Sequence, residues 1–382
     1  MLLHDLGGAA QFGIKAPGAD VDNQRAAYDA YIAEVNDAGG VSGRKLKPVY
    51  RIYDASSEDS ARSACNQLTE DDKVFAVLAM QLSGSPALCF TQQHKTLLIS
   101  ATGLPDEYYR RSAGLLFTTD TAQTRTFRNQ VADLHQQGVL KGKTIGVLTE
   151  DVADDYVAVE EGLLPALKAH GYSVAHYARL SGDQGTSQSQ VPLAVQQMRS
   201  KGVDLVFFGT NLIAATNFAQ NADAQAFRPL YATNDSNSMM NDIFLTGMPD
   251  SFTAVGITSL RVGEWRVGRP EPAYDAGCRE QFERASGMSA QREDDGSPYG
   301  VAMNSCNLVR GLVAGLRSVG TSLTQTALST ALQQGGSFDM AFTSPGSFAV
   351  GKFDAPDFVR TSKNDMSCKC WKPVDEFRRT KS

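Results

Sequence analysis

Apolar positions along the chain recur at two periods, and the switch between them predicts the elements. Tyr28, Ile32 and Val35 fall at spacings of four and three, the mark of a helix, which stops at Gly39 and Gly40 where a left-handed cap needs no side chain. Leu46 to Tyr53 then predicts a strand. Asp54, Ser56 and Ser57 follow it, and the serines can cap a helix from Asp59 to Leu68. Val74 to Leu78 and Thr96 to Ser100 are short apolar runs of the buried parallel-strand kind. The pattern recurs farther on. Thr126 to Gln136 predicts a helix, Thr144 to Leu148 a strand, Ala158 to His170 a helix, and Ser173 to Tyr177 and Leu205 to Phe208 two more strands. Phe252 to Leu260 adds a strand, and helices are expected near Pro272 to Ala285 and Gly300 to Ser318. The fold class is α/β, with two doubly wound parallel-sheet lobes, and 382 residues are enough for two cores of ordinary size.

Charge and chemistry narrow the function. With 36 basic and 42 acidic residues the net charge is −6, which gives no basic face for nucleic acid. No apolar run approaches the ~20 residues of a membrane-spanning helix. The five histidines, His4, His94, His135, His170 and His176, are scattered, and GxSxG, HExxH, GxxxxGK and GxGxxG are all absent. No nucleophile, base and orienter can be assembled, so neither an enzyme nor a cofactor is expected. Six cysteines form three sequence-local pairs: Cys65 with Cys89, Cys278 with Cys306, and Cys368 with Cys370. Consecutive helices of parallel units lie side by side, which favours disulfides, although six cysteines allow 15 pairings and buried free thiols are the alternative. With no CxxC and no Cys/His set, no metal is expected.

The blocks NDAGGVSGRKL, YDAS and LTEDDKVFAVL, in that order and spacing, resemble the leucine/isoleucine/valine-binding type of ABC-transporter substrate-binding protein, with its type I periplasmic binding fold. The resemblance implies a protein that closes two lobes over a small solute and delivers it to a membrane permease. It also implies three hinge crossings, near Thr119, Val255 and Phe342, dividing the chain into 1–119 with 256–340 and 120–255 with 341–382. Members carry an export or lipoprotein signal, and Met1-Leu2-Leu3-His4 is the interior of a first strand, so a leader is expected to have preceded it and the protein to be extracytoplasmic and monomeric. A cytosolic amide sensor on the same fold is the alternative, which paired cysteines argue against.

Residue by residue, the resemblance places Phe12 of AQFG beside the ligand, Ser83 of QLSGSP at the ligand-binding serine, and Ser100, Ala101 and Thr102 of SATGLP in the head-group loop. That loop is slightly short and lacks the family's proline. In the second lobe it selects Tyr156, Asn211 and Asp235, with Asp155 as a rival to Tyr156, and Tyr299 matches an aromatic near the cleft. Some also have a plainer explanation: Phe12 as core, Ser83 and Asp235 as helix caps, and DVADD as a solvated acidic turn. Independently of the family, loops at the carboxyl ends of parallel strands are where open α/β sheets bind ligands. Amino acids, amides, urea and aromatic acids all remain open as the solute.

Overall fold

Apolar runs become strands of two separate sheets in the computed structural model, which describes residues 1–7, 18–294 and 296–380. The first stretch forms β1 (Leu2–Asp5), α1 (Val21–Asp37), β2 (Arg51–Asp54), α2 (Glu58–Asn66), β3 (Ala76–Ala79), α3 (Gly84–Leu88), β4 (Leu97–Ser100), α4 (Asp106–Arg111) and β5 (Leu116–Thr118). Its five strands pair in parallel in the order β2-β1-β3-β4-β5. Val77, Leu78, Leu97, Leu98 and Ile99 are all buried, which is why β3 and β4 show no polar alternation: both faces are covered. Asp20 caps α1 by accepting from the Asn23 N–H at 2.9 Å, and Ser57 caps α2 by accepting from Ser60. At the end of α1, Gly40 has φ 78°, and a Cβ there would stand 2.2 Å from the Arg44 carbonyl oxygen, so only glycine fits the turn.

The chain continues through α5 (Gln123–Gln136), β6 (Ile145–Glu150), α6 (Ala153–Ala158), α7 (Leu164–Ala169), β7 (Val174–Leu180), α8 (Gln184–Ser200), β8 (Leu205–Gly209), α9 (Leu212–Ala224), β9 (Leu230–Thr233), α10 (Asp242–Thr246) and β10 (Ala254–Thr258). It then forms α11 (Ala273–Ser286), α12 (Tyr299–Val319), α13 (Gln325–Gln334), the hairpin β11 (Gly336–Phe338) and β12 (Gly346–Phe348), and finally β13 (Phe358–Asp365), β14 (Cys370–Pro373) and β15 (Arg378–Arg379). The second sheet runs β14-β13-β10-β9-β8-β6-β7, with β15 also on β13. Strands β6 to β10 are parallel, as expected, whereas β13, β14 and β15 pair antiparallel. The connection from β13 to β14 is too short for anything but a hairpin.

Two compact units result. The first comprises Met1–Gly103, Glu107–Thr121 and Arg269–Asp357, and the second Leu104–Asp106, Ala122–Gly268 and Phe358–Ser382. Two boundaries differ from the expected 255 and 340. All of β10 belongs to the second unit because it pairs with β9 and β13, and residues up to Asp357 belong to the first because β12 pairs with β11 and Thr118 bonds the chain at Phe353 and Ala355. In the first unit Tyr28, Tyr31, Phe282, Cys306 and Leu308 share one apolar cluster, and in the second Phe127, Val147, Leu163 and Phe207 share another. Disulfides join Cys65 to Cys89, Cys278 to Cys306 and Cys368 to Cys370, the pairing that sequence neighbourhood favours. Among the described residues no helix is long and apolar enough to cross a membrane.

Candidate functional site

In the second unit, the carboxyl ends of β6, β8, β9 and β10 carry a group of buried polar side chains. Glu150, the last residue of β6, is 2% exposed and accepts from the Ser187 hydroxyl, the Thr210 hydroxyl and the Asn211 N–H. Asp155 lies on the first turn of α6 and is buried, yet among the described residues its carboxyl accepts only one hydrogen bond, from Asn237 Nδ2 at 2.7 Å. Burial holds the Asp155 carboxyl well above the usual carboxylate range; the Asn237 bond opposes this, and the nearby Glu150 charge adds to it. Asn237 also donates to the Thr210 carbonyl at 2.9 Å. These two bonds hold Asn237 at φ 55° and its neighbour Ser238 at φ 59°, a left-handed pair that asparagine tolerates better than most residues. Gln130 pins the same loop from below, donating to the Thr233 carbonyl and accepting from Asn234 Nδ2. Asp235 accepts from the Thr258 hydroxyl and from both the N–H and hydroxyl of Ser259, while burial raises its pKa.

The first unit ends its strands differently. Ser83 precedes α3 with the backbone angles of a helix cap, but its side chain makes no cap hydrogen bond and is exposed. The helix start is walled by Tyr108, whose ring occupies the space a Cβ on Gly84 would need: the nearest ring atom would be 2.1 Å away. At the end of β4, the Ala101 N–H bonds the Ala79 carbonyl at 2.9 Å and the Thr102 N–H bonds Ser100 Oγ at 3.1 Å. The Thr102 hydroxyl donates to the Met80 carbonyl at 3.2 Å. This loop therefore spends its N–H groups on its own fold. Tyr299 is buried at the start of α12 with its hydroxyl toward Asp275 and its ring edge-on to Phe342.

Residues 14–357 match the model of a family described as periplasmic binding protein. The chain belongs to the periplasmic binding protein family. This is a family of binding proteins, not of enzymes. Solved structures of similar fold include a solute-binding protein of an ABC transporter from Rhodopseudomonas palustris in complex with 3,4-dihydroxybenzoic acid, 16% identical, covering 99% of this chain and 96% of its own, at a TM-score of 0.70. A substrate-binding protein from Desulfitobacterium hafniense in complex with Leu is 16% identical over 92% of this chain and 95% of its own, at 0.66. A fatty acid ABC transporter substrate-binding protein from Thermomonospora curvata is 17% identical over 100% and 92%, at 0.70. At these identities the likeness is one of fold.

In this periplasmic binding protein the residues selected from sequence divide by unit. Tyr156, Asn211 and Asp235 all stand at strand ends of the second unit, with Asp155 beside them. The Tyr156 ring is stacked under the Arg179 guanidinium at 3.6 Å, and Asn211 caps α9 by accepting from Ile213 and Ala214. Ser83, Ser100, Ala101 and Thr102 stand at the ends of β3 and β4 in the first unit, and Tyr299 packs into that unit's core. Phe12 lies outside the described residues. Sequence pattern does not single out Glu150, Thr210, Asn237 or Tyr108. TEDVADDY and YATNDSNS do signal polar loops after strands, but an apolar pattern says nothing about which acid in such a loop turns inward.

Proposed function

We propose that the protein is an extracytoplasmic solute-binding protein that captures a small polar solute of the amino-acid or amide class and hands it to an ABC-transporter permease. The observation that supports this most directly is Asp155: a buried carboxyl on the first turn after a parallel strand, with one hydrogen bond among the described residues where it has room for several, in a chain of a binding-protein family. An amine or amide N–H meeting it would form a desolvated, charge-assisted bond. Asp235, which already accepts three bonds, is better suited to fixing the loop than to taking the solute's donor, so Asp155 rather than Asp235 is proposed as the partner of an ammonium or amide group. Tyr156 and Asn211 border the same strand ends. Ser83, whose hydroxyl makes no cap bond and has no hydrogen-bond partner among the described residues, is the residue proposed for the solute's anionic group. The structurally similar proteins named for 3,4-dihydroxybenzoic acid, Leu and fatty acid all take carboxylic acids, which fits that assignment. Three disulfides support an oxidising compartment.

The test is a thermal-shift screen of amino acids, amides and aromatic acids, in which a ligand at 100 times its Kd stabilises the fold by about 2.7 kcal/mol. Calorimetry on the best ligand follows. Asp155→Asn is expected to weaken an amine-bearing solute by roughly 2 kcal/mol, and Asp235→Asn to weaken it less. Equal affinity of the parent and Asp155→Asn for such a solute removes Asp155 from the site.

A further inference from the structure

The Cys65–Cys89 disulfide is not chemically isolated. A ring nitrogen of His94 and the two sulfurs lie within 4.8 Å of one another, with Cys65 and Cys89 buried and His94 half-buried. Glu70 stands on the solvent side, its Oε1 3.6 Å from His94 Nε2 and its side chain 60% exposed. Asn66 Oδ1 is 3.3 Å from the same nitrogen. The convergence has a backbone cause. Five residues make about 1.4 turns of a regular α-helix, which would carry Cys89 and His94 to different faces. Here Cys89–Gln93 forms a widened π-type turn, closed by the His94 N–H on the Cys89 carbonyl at 3.0 Å, so the two side chains share a face. The helix carrying Cys65 runs into a second such turn, Gln67–Asp71, which contains Glu70. In sequence the set is Cys-x4-Glu and Cys-x4-His on separate helices, a spacing unlike the C-x2–4-C … H-x3–5-H of zinc fingers.

We propose that reduction of this disulfide creates a zinc-type metal site with Cys65, Cys89 and His94 as ligands and Glu70 as the fourth. A dithiol reductant gives two electrons and two protons to the sulfurs, breaking the S–S bond, and is itself oxidised to a disulfide. The divalent ion then displaces the two thiol protons. Zinc–sulfur bonds of about 2.3 Å and zinc–nitrogen bonds of about 2.0 Å in a tetrahedron put ligand atoms roughly 3.5 to 3.8 Å apart. The two sulfurs and the His94 nitrogen already fall within 4.8 Å of one another, and Glu70 lies 3.6 Å from His94 on an exposed side chain that can swing toward the sulfurs. Two thiolates, an imidazole and a carboxylate suit zinc and cadmium rather than calcium or magnesium. In the oxidised chain the sulfurs have no thiolate to offer, and the site is switched off.

The experiment compares unreduced protein with protein fully reduced by a phosphine, thiol content being checked by titration and the fold by near-ultraviolet circular dichroism. Zinc is titrated against a chromogenic chelator, and cadmium is followed by its thiolate charge-transfer absorbance. The reduced chain is expected to stay folded and bind zinc, and the oxidised chain to bind none. His94→Ala, reduced in the same way, is expected to bind about tenfold or more weakly. Cys65→Ser/Cys89→Ser is expected to lose the cadmium band, which separates this site from the other two cysteine pairs. Undiminished binding in His94→Ala, a cadmium band surviving the double substitution, zinc uptake by the oxidised chain, or a reduced chain that unfolds or ignores zinc each overturns the proposal.

Discussion

The two units present the same scaffold, five parallel strands with helices between, and finish it with different chemistry. Strand ends of the first unit carry hydroxyls and a self-bonded loop, and its helices are tied by two disulfides, Cys65–Cys89 and Cys278–Cys306. Strand ends of the second carry three buried carboxyls, Glu150, Asp155 and Asp235, and its added antiparallel strands are fixed by ionic groups. Arg360 on β13 is fully buried, donating to Glu264 Oε1 at 2.7 Å and to the Val262 carbonyl at 2.9 Å. Farther along, Arg378 on β15 bonds Asp133, Asp375 and Thr361. One backbone plan therefore tolerates covalent and electrostatic cross-bracing, and the polar ends of its strands are free to differ.

The sharpest way to break that contrast is to cut each brace. Arg360→Leu takes the cation away from buried Glu264 and is expected to cost about 3–5 kcal/mol, lowering the melting of the second unit. Cys278→Ala/Cys306→Ala is expected to cost about 3 kcal/mol through the unfolded chain, and to act on the first unit. Differential scanning calorimetry of both variants, with hydrogen exchange to locate the loss, measures the pair. If both variants loosen the same unit, the division of bracing is wrong.

Much of this is legible in the sequence because burial writes itself into periodicity. The β3 run is placed by its residues alone, since a strand buried on both faces leaves an unbroken apolar stretch, and neighbouring helices favour two of the three cysteine pairs, Cys65 with Cys89 and Cys278 with Cys306. The order of β10 and β13 is not legible. Phe252 to Leu260 has the pattern of a crossing strand, but its membership is set by antiparallel pairing with residues more than a hundred positions away, which no local pattern encodes. Among the candidate residues, Ser83 and Asp155 can be picked out from sequence because each follows an apolar strand. The status of Asp235 cannot be read this way, since only the arrival of Thr258 and Ser259 shows that its oxygens are engaged.

A smaller effect sharpens the comparison at the second unit's acid cluster. Burial raises the Asp155 pKa in the folded chain above its ordinary value of 3.8, so between that value and the raised one the folded state binds the extra proton. Stability from this residue is therefore present at low pH and falls as pH rises through that window, the reverse of a salt-bridged aspartate. Asp155→Asn removes the slope. Its melting temperature is expected to fall less than the parent's on going from acid to neutral pH, a gain of about 1 kcal/mol for each unit of pKa shift removed. Parallel curves for the two proteins would show that Asp155 ionises as freely folded as unfolded.

The smallest expected effect separates a serine that serves its helix from one left for something else. Ser57 and Ser83 both precede helices of the first unit with extended, cap-like backbone angles, but only Ser57 accepts a hydrogen bond from its own helix, from the Ser60 N–H. Ser57→Ala is expected to destabilise by about 1 kcal/mol, the usual cost of a lost N-cap. Ser83→Ala removes an exposed hydroxyl with no cap bond, so unfolding is expected to move by less than about 0.5 kcal/mol. Its effect belongs to binding: affinity for a carboxylate-bearing solute is expected to drop by about 1.5 kcal/mol, one hydrogen bond to a charged acceptor. Denaturant unfolding and calorimetry on the two alanine variants decide the matter. A Ser83→Ala protein that unfolds as early as Ser57→Ala, with affinity unchanged, would return Ser83 to the role of helix cap.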